Sequence, residues 1–297
     1  MPSQTDARTD LTSALRRRLF GLGYRMLGTR ADAQDIVQEI ELRLHQHRGS
    51  VENVERFAFS IATRLCIDRL RHERVRRAAY VGPWLPEPLP SPDPSELTEL
   101  SSDLAMGFML LLERMTPAER VVYVLREAFD LTFEEIGDVL GVTAPVCRQR
   151  MRRAKARIAG RVVAPCPEDV ARPLLEQLVA ALQSGDTQRL VGLLCEDAVL
   201  LTDGGGRVPA AIVPVEGRSR IAAVLAHLVQ RLRSEGSLDY RWIRLNGERG
   251  ALMYLDGALY GAAMVAVEGG RIRQIMVVRN PDKLGAVAEF DATLARP

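Results

Sequence analysis

The chain has 297 residues, 47% of them hydrophobic and 26% charged, with a formal net charge of +2. That length suits two or three compact units and is too much for one small core, and the composition is that of ordinary globular domains. No run approaches the roughly 18 apolar residues of a membrane span, and the opening MPSQTDARTD has no apolar secretory core. Cys66, Cys147, Cys166 and Cys195 form no CxxC pair, which argues against a disulfide framework or a zinc ribbon. The expected compartment is the cytoplasm, with no membrane partner.

The charge is unevenly spread. Residues 1–90 carry 15 basic and 11 acidic side chains, whereas residues 143–161 hold seven basic side chains and no acidic one. A basic block on a near-neutral body points to a polyanion-binding element.

Residues 10–80 read as helix. In ADAQDIVQEIELRL the apolar positions Ala33, Ile36, Val37, Ile40 and Leu44 form one stripe, and Asp32, Asp35, Gln38, Glu39 and Glu41 lie on the exposed side. A break is expected at Arg48-Gly49-Ser50. A second helix follows from Asn53 to Ala79, with Phe57, Ile61 and Leu65 at fourfold spacing and a basic second half that includes Arg64, Arg69, Arg71, Arg74, Arg76 and Arg77. With Phe57 and Phe59 ahead of it, this half suits unstacked single-stranded DNA; it also suits a merely solvated face.

Gly82–Pro94 reads as a linker. Its six prolines at nearly alternate positions forbid helix and sheet ladder and favour an extended polyproline path. Trp84 inside it reads as a docking anchor.

Residues 96–162 are helical again. Thr116-Pro117-Ala118-Glu119 and Thr132-Phe133-Glu134-Glu135 are capping boxes. The helix from Thr132 ends at Leu140, Gly141 supplies a left-handed residue, and Thr143 caps the next helix, which gives a helix-turn-helix. In that last helix Cys147, Met151, Ala154 and Ile158 form the buried stripe, and Arg148, Gln149, Arg152, Arg153 and Lys155 face away. Arg148 and Gln149 lie in the first turns, where Arg can pair with guanine and Gln with adenine, while Arg152, Arg153 and Lys155 suit phosphates.

Pro165 and Pro167 mark a boundary. Helices over Arg172–Gln183 and Asp186–Cys195 lead into strand-like runs at Ala198–Thr202, Ala210–Pro214, Tyr240–Leu245, Gly250–Leu255, Ala258–Val267 and Arg271–Arg279. Asn246-Gly247, Asp256-Gly257 and Gly269-Gly270 read as hairpin turns, and a helix near Ser219–Arg233 interrupts the strands. This predicts an α+β domain with a curved antiparallel sheet. His227 lies on that helix beside the core-like Ile221, Val224, Leu225 and Leu228 and reads as structural or surface; Asp203, Asp239 and Asp256 sit at strand ends, where Asp is common. No Ser/His/Asp arrangement, metal spacing or phosphate loop is visible, so neither a catalytic residue nor a cofactor is expected.

The first 160 residues resemble the extracytoplasmic-function (ECF) sigma factors, short specificity subunits of bacterial RNA polymerase. RRRLFGLGYRMLGTRADAQDIVQE resembles the opening of their region two. FAFSIATRLCIDRLRHERVRR looks like the part that melts and reads the minus-ten element. The run from Leu112 to Ile158 looks like region four, which reads the minus-thirty-five element. YVGPWLPEP, Asp203-Gly204-Gly205-Gly206-Arg207 and Asn280-Pro281-Asp282-Lys283-Leu284 resemble hallmarks of the sigma J-like actinobacterial subgroup with a fused SnoaL-like domain. Arg64 stands where most of the wider family has Asn, and Arg207 where the subgroup usually has Lys.

The resemblance implies a multidomain chain. Two all-α domains, a region 2 helical bundle (1–79) and a region 4 helix-turn-helix (99–162), flank a Pro-rich linker (80–98) and precede an α+β SnoaL/NTF2-like cone domain (166–290). It implies binding of core RNA polymerase and promoter DNA. Asp32, Asp35, Gln38 and Glu39 would meet the clamp helices of the largest subunit. Phe57, Arg64, Arg69 and Arg71 would serve the minus-ten element, and Thr143, Arg148, Gln149, Arg152, Arg153 and Lys155 the minus-thirty-five element. Trp84, Asp203, Arg207, Asn280, Asp282 and Lys283 would be regulatory; Asp203–Arg207 and Asn280–Leu284 read as turns near the surface, not needed to fill a core, whose expected neighbours are the linker around Trp84–Pro88 and region two. Read without the resemblance, the layout also suits a stand-alone helix-turn-helix regulator with a ligand-sensing C-domain, or a SnoaL-type enzyme with a DNA-binding arm.

Overall fold

Thr12 opens helix α1 (Ser13–Leu27) by accepting the Leu15 amide on its hydroxyl, and Gly28 closes it in the left-handed region. Thr29 caps α2 (Arg30–Gln46) in the same way, and α2 buries the expected stripe Ala33, Ile36, Val37, Ile40 and Leu44. Helix α3 (Val54–Ala78) departs from expectation. Its buried residues are Ala58, Phe59, Ala62, Thr63, Cys66 and Leu70, and Phe57, Ile61 and Leu65 are only half-buried. The contact line lies one residue along, at Ala58, Ala62, Cys66 and Leu70 with Phe59 and Thr63 beside it, so Phe57, Ile61 and Leu65 fall on its flank.

This is a computed structural model that describes residues 11–47, 51–90, 105–159 and 168–294. The break at 48–50, the linker after residue 90, Arg161 and the boundary at Pro165 and Pro167 lie outside the described residues. The chain divides into two compact units: Met1–Arg76 with Leu112–Ala159, and Arg77–Leu111 with Gly160–Pro297.

In the first unit α1 to α3 are joined by α5 (Pro117–Glu127), α6 (Phe133–Leu140) and α7 (Ala144–Ile158); the short α4 (Met106–Leu112) belongs, but for its last residue, to the second unit. Both capping boxes form, Thr116 with Glu119 and Thr132 with Glu135. Gly141 ends α6 with φ 66°. Thr143 occupies the N-cap of α7, but its side chain makes no capping hydrogen bond. Instead Pro145 sits in the first turn, where a missing amide costs nothing. The stripe Cys147, Met151, Ala154 and Ile158 is buried.

In the second unit α8 (Glu168–Ser184) and α9 (Thr187–Leu193) lead into β1 (Leu194–Asp203) and β2 (Val215–Glu216). Helix α10 (Arg218–Glu235) precedes the meander β3 (Leu238–Leu245), β4 (Glu248–Leu255), β5 (Ala258–Glu268) and β6 (Arg271–Val278), and α11 (Gly285–Leu294) ends the fold. The sheet order is β2-β1-β6-β5-β4-β3. The three hairpin turns adopt positive φ at both central residues, as their sequences predict.

The sheet is mixed rather than antiparallel, because β1 and β6 run parallel. The intervening α10 carries the chain across before the meander begins, so its last strand meets β1 in the same direction. Ala210–Pro214 is not a strand. Pro209 and Pro214 bound it, and it is held instead by Thr202, whose hydroxyl donates to the Ala211 carbonyl (3.2 Å) and accepts the Ala211 amide (2.8 Å). On α10 the buried line is Ile221, Ala222, Leu225, Val229 and Leu232; Val224 and His227 are exposed.

Each face of the sheet has a core. One packs Leu200, Val265, Ile272 and Ile275 against Leu175, Leu190 and Leu225 of the helices. The other packs Leu252, Met264, Met276 and Val278 against Val287 of α11, Met106 of α4 and Leu85 of the linker. The Pro-rich segment also makes an antiparallel bridge, Pro90 to Leu245. It uses the Leu89 carbonyl, which accepts the Asn246 amide at 2.8 Å, so no proline amide is needed.

A Cβ on Gly137 would lie 2.6 Å from the Val142 carbonyl oxygen. Gly137→Ala should therefore lower the stability of the helix-turn-helix by about 1–3 kcal/mol. Urea unfolding followed by circular dichroism would read this as a lower midpoint.

Candidate functional site

Thr143, Arg148, Gln149, Arg152, Arg153 and Lys155 are all exposed on α7. Arg148 pairs with Glu134 (3.2 Å) and Lys155 with Glu127 (3.0 Å), both in solvent; Arg152 and Arg153 make no ion pair among the described residues. Exposed pairs of this kind are weak, about 0–1 kcal/mol, and yield readily to a phosphate or a base edge. Arg157 is different, since its partner Glu119 (2.7 Å) is buried. Burial raises the Glu119 pKa, but its hydrogen bonds to Thr116 and Arg157 outweigh this and hold it below the usual carboxylate range.

The α3 residues divide. Arg64 and Arg71 are exposed, with Arg71 paired to Asp68 at 3.1 Å. Phe57 is half-buried beside His47, the rings 5.1 Å apart. Phe59 is buried, edge-on to Phe129 at 5.3 Å, and so does not present a stacking face. Arg69 turns to α2, where it pairs with Asp32 (3.4 Å) and Asp35 (3.2 Å). The cation assigned to DNA thus joins the acidic face assigned to the polymerase. Asp35, Gln38 and Glu39 line a groove of about 730 Å³ between α2 and α3, with Leu42, Leu65 and His72. Leu42, 51% exposed there, escaped the sequence reading, which took its neighbours for their charge.

The motifs expected to be regulatory are only partly surface turns. Asp203 (0% exposed), Asn280 and Lys283 are buried. The Asp203 carboxylate accepts three hydrogen bonds: from the Tyr80 hydroxyl (2.6 Å), the Leu85 amide (2.8 Å) and Lys283 Nζ (2.7 Å). Lys283 also donates to the Leu85 carbonyl at 2.5 Å, and Asn280 Nδ2 donates to the Tyr80 hydroxyl at 2.9 Å. The Asp203 carbonyl accepts the amides of Arg279 and Asn280. A Cβ on Gly205 would lie 2.3 Å from Asn280 Nδ2, so the glycine motif lets this network close.

Both peptide groups of Leu85 are thereby engaged and its side chain is fully buried, so Leu85 anchors the linker. Trp84 is half-buried, with Arg77 at 3.5 Å and Lys283 at 4.2 Å from its ring centre. Arg207 and Asp282 form an exposed pair at 3.2 Å. Sequence reasoning missed Tyr80, Leu85 and Asn246; the last accepts the Leu89 amide at 3.0 Å. Asn-Gly signalled its turn but not that contact. Burial and donation to Asp203 push the Tyr80 phenol well above its ordinary pKa.

Among the described residues no helix is long and apolar enough to cross a membrane, and no group of three or more His, Cys, Asp or Glu could hold a metal ion.

Lys283→Ala would leave the Asp203 carboxylate buried without its cation, a change that typically costs about 3–5 kcal/mol. We expect a lower urea midpoint for this unit and faster hydrogen exchange at the Leu85 amide. Tyr80 gives an alkaline signature. Its folded pKa is raised, so the stability it contributes is complete below about pH 10, where the unfolded tyrosine keeps its proton, and declines as pH rises above that. Urea titrations from pH 8 upward should show a shallower decline in Tyr80→Phe than in the wild type.

Comparison with known proteins agrees with this layout. A family model for sigma-70 region 2 matches residues 11–76, and one for sigma-70 region 4 matches residues 106–158. The chain is 32% identical over 284 residues to the ECF RNA polymerase sigma factor SigJ of Mycobacterium tuberculosis, covering 91% of each. It is 28% identical over 289 residues to the probable ECF RNA polymerase sigma factor SigI of the same species, covering 95% of this chain and 96% of the relative. The crystal structure of Mycobacterium tuberculosis SigJ matches with a TM-score of 0.76 and 29% identity, over 92% of this chain and 96% of that one. The chain therefore belongs to the extracytoplasmic-function RNA polymerase sigma factors, proteins that bind core polymerase and promoter DNA and direct promoter-specific transcription initiation.

Proposed function

We propose that this sigma factor reads its minus-thirty-five element with α7 and its minus-ten element with the exposed part of α3, and that its C-terminal domain tunes the output by holding the linker. Exposure and the absence of acid on the outer face of α7 carry the first part. Arg148 and Gln149 serve base edges, while Arg152, Arg153 and Lys155 serve phosphates; Thr143 opens the helix. On α3, Arg64 and Arg71 supply charge and Phe57 a half-exposed ring.

The α2 groove, lined by Asp35, Gln38, Glu39 and Leu42, together with Asp32 on the same helix, is the surface we assign to the polymerase clamp helices. An exposed leucine with Asp35 and Glu39 of the same helix beside it suits a partner with an apolar centre and basic side chains facing α2. Arg69 then positions Asp32 and Asp35 rather than touching DNA.

The carrying observation for the regulatory part is the Asp203 carboxylate, which binds the linker at Tyr80 and Leu85. The segments involved are the linker (80–98) and the domain over 166–290, through Trp84, Asp203, Arg207, Asn280, Asp282 and Lys283.

Runoff transcription with core polymerase over a promoter library tests the assignment. Arg148→Ala should weaken use of the cognate minus-thirty-five element by about 1–3 kcal/mol and relax preference at one position. Lys155→Ala should weaken all sequences about equally and flatten the salt dependence. Unchanged element preference in Arg148→Ala would show that α7 is faced wrongly. For regulation, Asp203→Asn at matched folded concentration should change promoter output; equal output from the two proteins sinks the regulatory role.

A further inference from the structure

Helix α7 opens on Ala144-Pro145-Val146, three apolar residues in a row at the tip of the helix assigned above to the minus-thirty-five element. Ala144 is half-buried and Pro145 is exposed. Val146 is 37% exposed, whereas Cys147, Met151 and Ile158 belong to the buried stripe. At about 100° per residue, Val146 lies off that stripe and on the row of Gln149 and Arg153, three and seven positions on, both of them exposed. Its amide donates to the Thr143 carbonyl at 3.0 Å, so the backbone that aims the side chain is fixed. Helix propensity does not ask for valine here, since alanine and arginine are better helix formers. Burial does not ask for it either, because the side chain stands partly in water.

The neighbours of Val146 on the outer face are Arg148, Gln149, Arg152 and Arg153. Each offers hydrogen bonds or charge, and so can meet a phosphate or a polar base edge. None of their polar heads suits the one apolar group that the major groove presents, the C5-methyl of thymine. Val146 does. A β-branched side chain in a helix has one strongly preferred rotamer, so it is in place before DNA arrives and loses little freedom on contact. Apolar surface at the tip of a groove-reading helix leaves water by meeting apolar surface in the groove.

We propose that Val146 determines specificity by packing on the C5-methyl of a thymine in the minus-thirty-five element, within two base pairs of the position that Gln149 reads. Side chains three apart on a helix have Cβ atoms about 5–6 Å apart, and successive base pairs rise about 3.4 Å, which sets that limit. This role rests on the reading of α7 given above and adds to it the chemical group that is read. The contact is small, one methyl against one isopropyl, and its expected effect is about three- to tenfold.

The test uses the full chain with core polymerase and runoff transcription from the promoter that the library selects. Each thymine of the minus-thirty-five element, on either strand, is replaced in turn by deoxyuridine, which removes the methyl and keeps every hydrogen-bonding group. We expect one such replacement, within two pairs of the position that Gln149→Ala relaxes, to lower wild-type output about three- to tenfold. Val146→Ala should lower output on the thymine template by a similar factor and give equal output on thymine and deoxyuridine at that position, so that the two losses do not add. Val146→Ile, which keeps the apolar tip, should keep the discrimination. The ratio of the two templates is taken within one protein, so it does not depend on how much of that protein is folded.

Equal sensitivity to deoxyuridine in the wild type and Val146→Ala at every position overturns the role of Val146, as does a wild type with no sensitive thymine. A loss in Val146→Ala that is the same on every template marks a protein contact and overturns it too. Arg148→Ala separates this failure from that of the reading beneath it. If Arg148→Ala relaxes preference at its own position while Val146 shows no coupling, α7 reads the element and only the role of Val146 falls. If Arg148→Ala also leaves preference unchanged, the reading of α7 falls with it.

Discussion

A carboxylate with no exposed surface is costly, several kcal/mol even after relaxation, unless donors replace the water it loses. Asp203 is such a group, and its donors come from two distant parts of the chain: Tyr80 and Leu85 in the linker, and Lys283 beyond the last strand. None of them can leave alone without stranding the others. The linker, the end of β1 and the turn after β6 therefore close together, and with them the outer face of the sheet, where Leu85 and Met106 fill the core beside Val287.

The same chain uses ion pairs in a second, opposite way. Arg148 with Glu134 and Lys155 with Glu127 stand in water, where Coulomb attraction is screened and side-chain entropy offsets most of the gain. Such pairs hold basic side chains loosely and release them to a polyanion. Burial decides the role: exposed pairs are exchangeable, and the buried pair fixes geometry.

What was legible in the sequence was local. The two capping boxes, the left-handed Gly141, the three hairpin turns and the stripes of α2 and α7 each depend on residues within a turn or two of one another. What was not legible depended on distance. Tyr80 meets Asp203 across 123 positions and Lys283 meets Leu85 across 198, and no periodicity links them. The motifs looked like surface turns because Asp, Gly, Asn and Pro are turn formers; the same residues also build a buried polar knot when a neighbouring segment supplies the donors. Trp84 drew attention by size, but the smaller Leu85 carries the burial because its own amide and carbonyl are bonded. The parallel β1–β6 pairing was hidden because strand runs in a sequence carry no direction. The turn of Arg69 toward Asp32 and Asp35 was hidden because a helical face shows its charge but not the partner across the groove.

The choice of cation follows from the same geometry. Arg outnumbers Lys 38 to 2 in this chain, and one of the two lysines is Lys283. Its ammonium serves the Asp203 carboxylate and the Leu85 carbonyl while lying 4.2 Å from the Trp84 ring centre and 5.0 Å from that of Tyr80. Those partners surround a point. A guanidinium presents its donors in one rigid plane, suited to a carboxylate met side-on rather than to acceptors and rings on several sides. A wider head would also press on Trp84, which already carries Arg77 at 3.5 Å. Arg is the ordinary cation of this sequence, and at this position only the compact one fits the linker it holds.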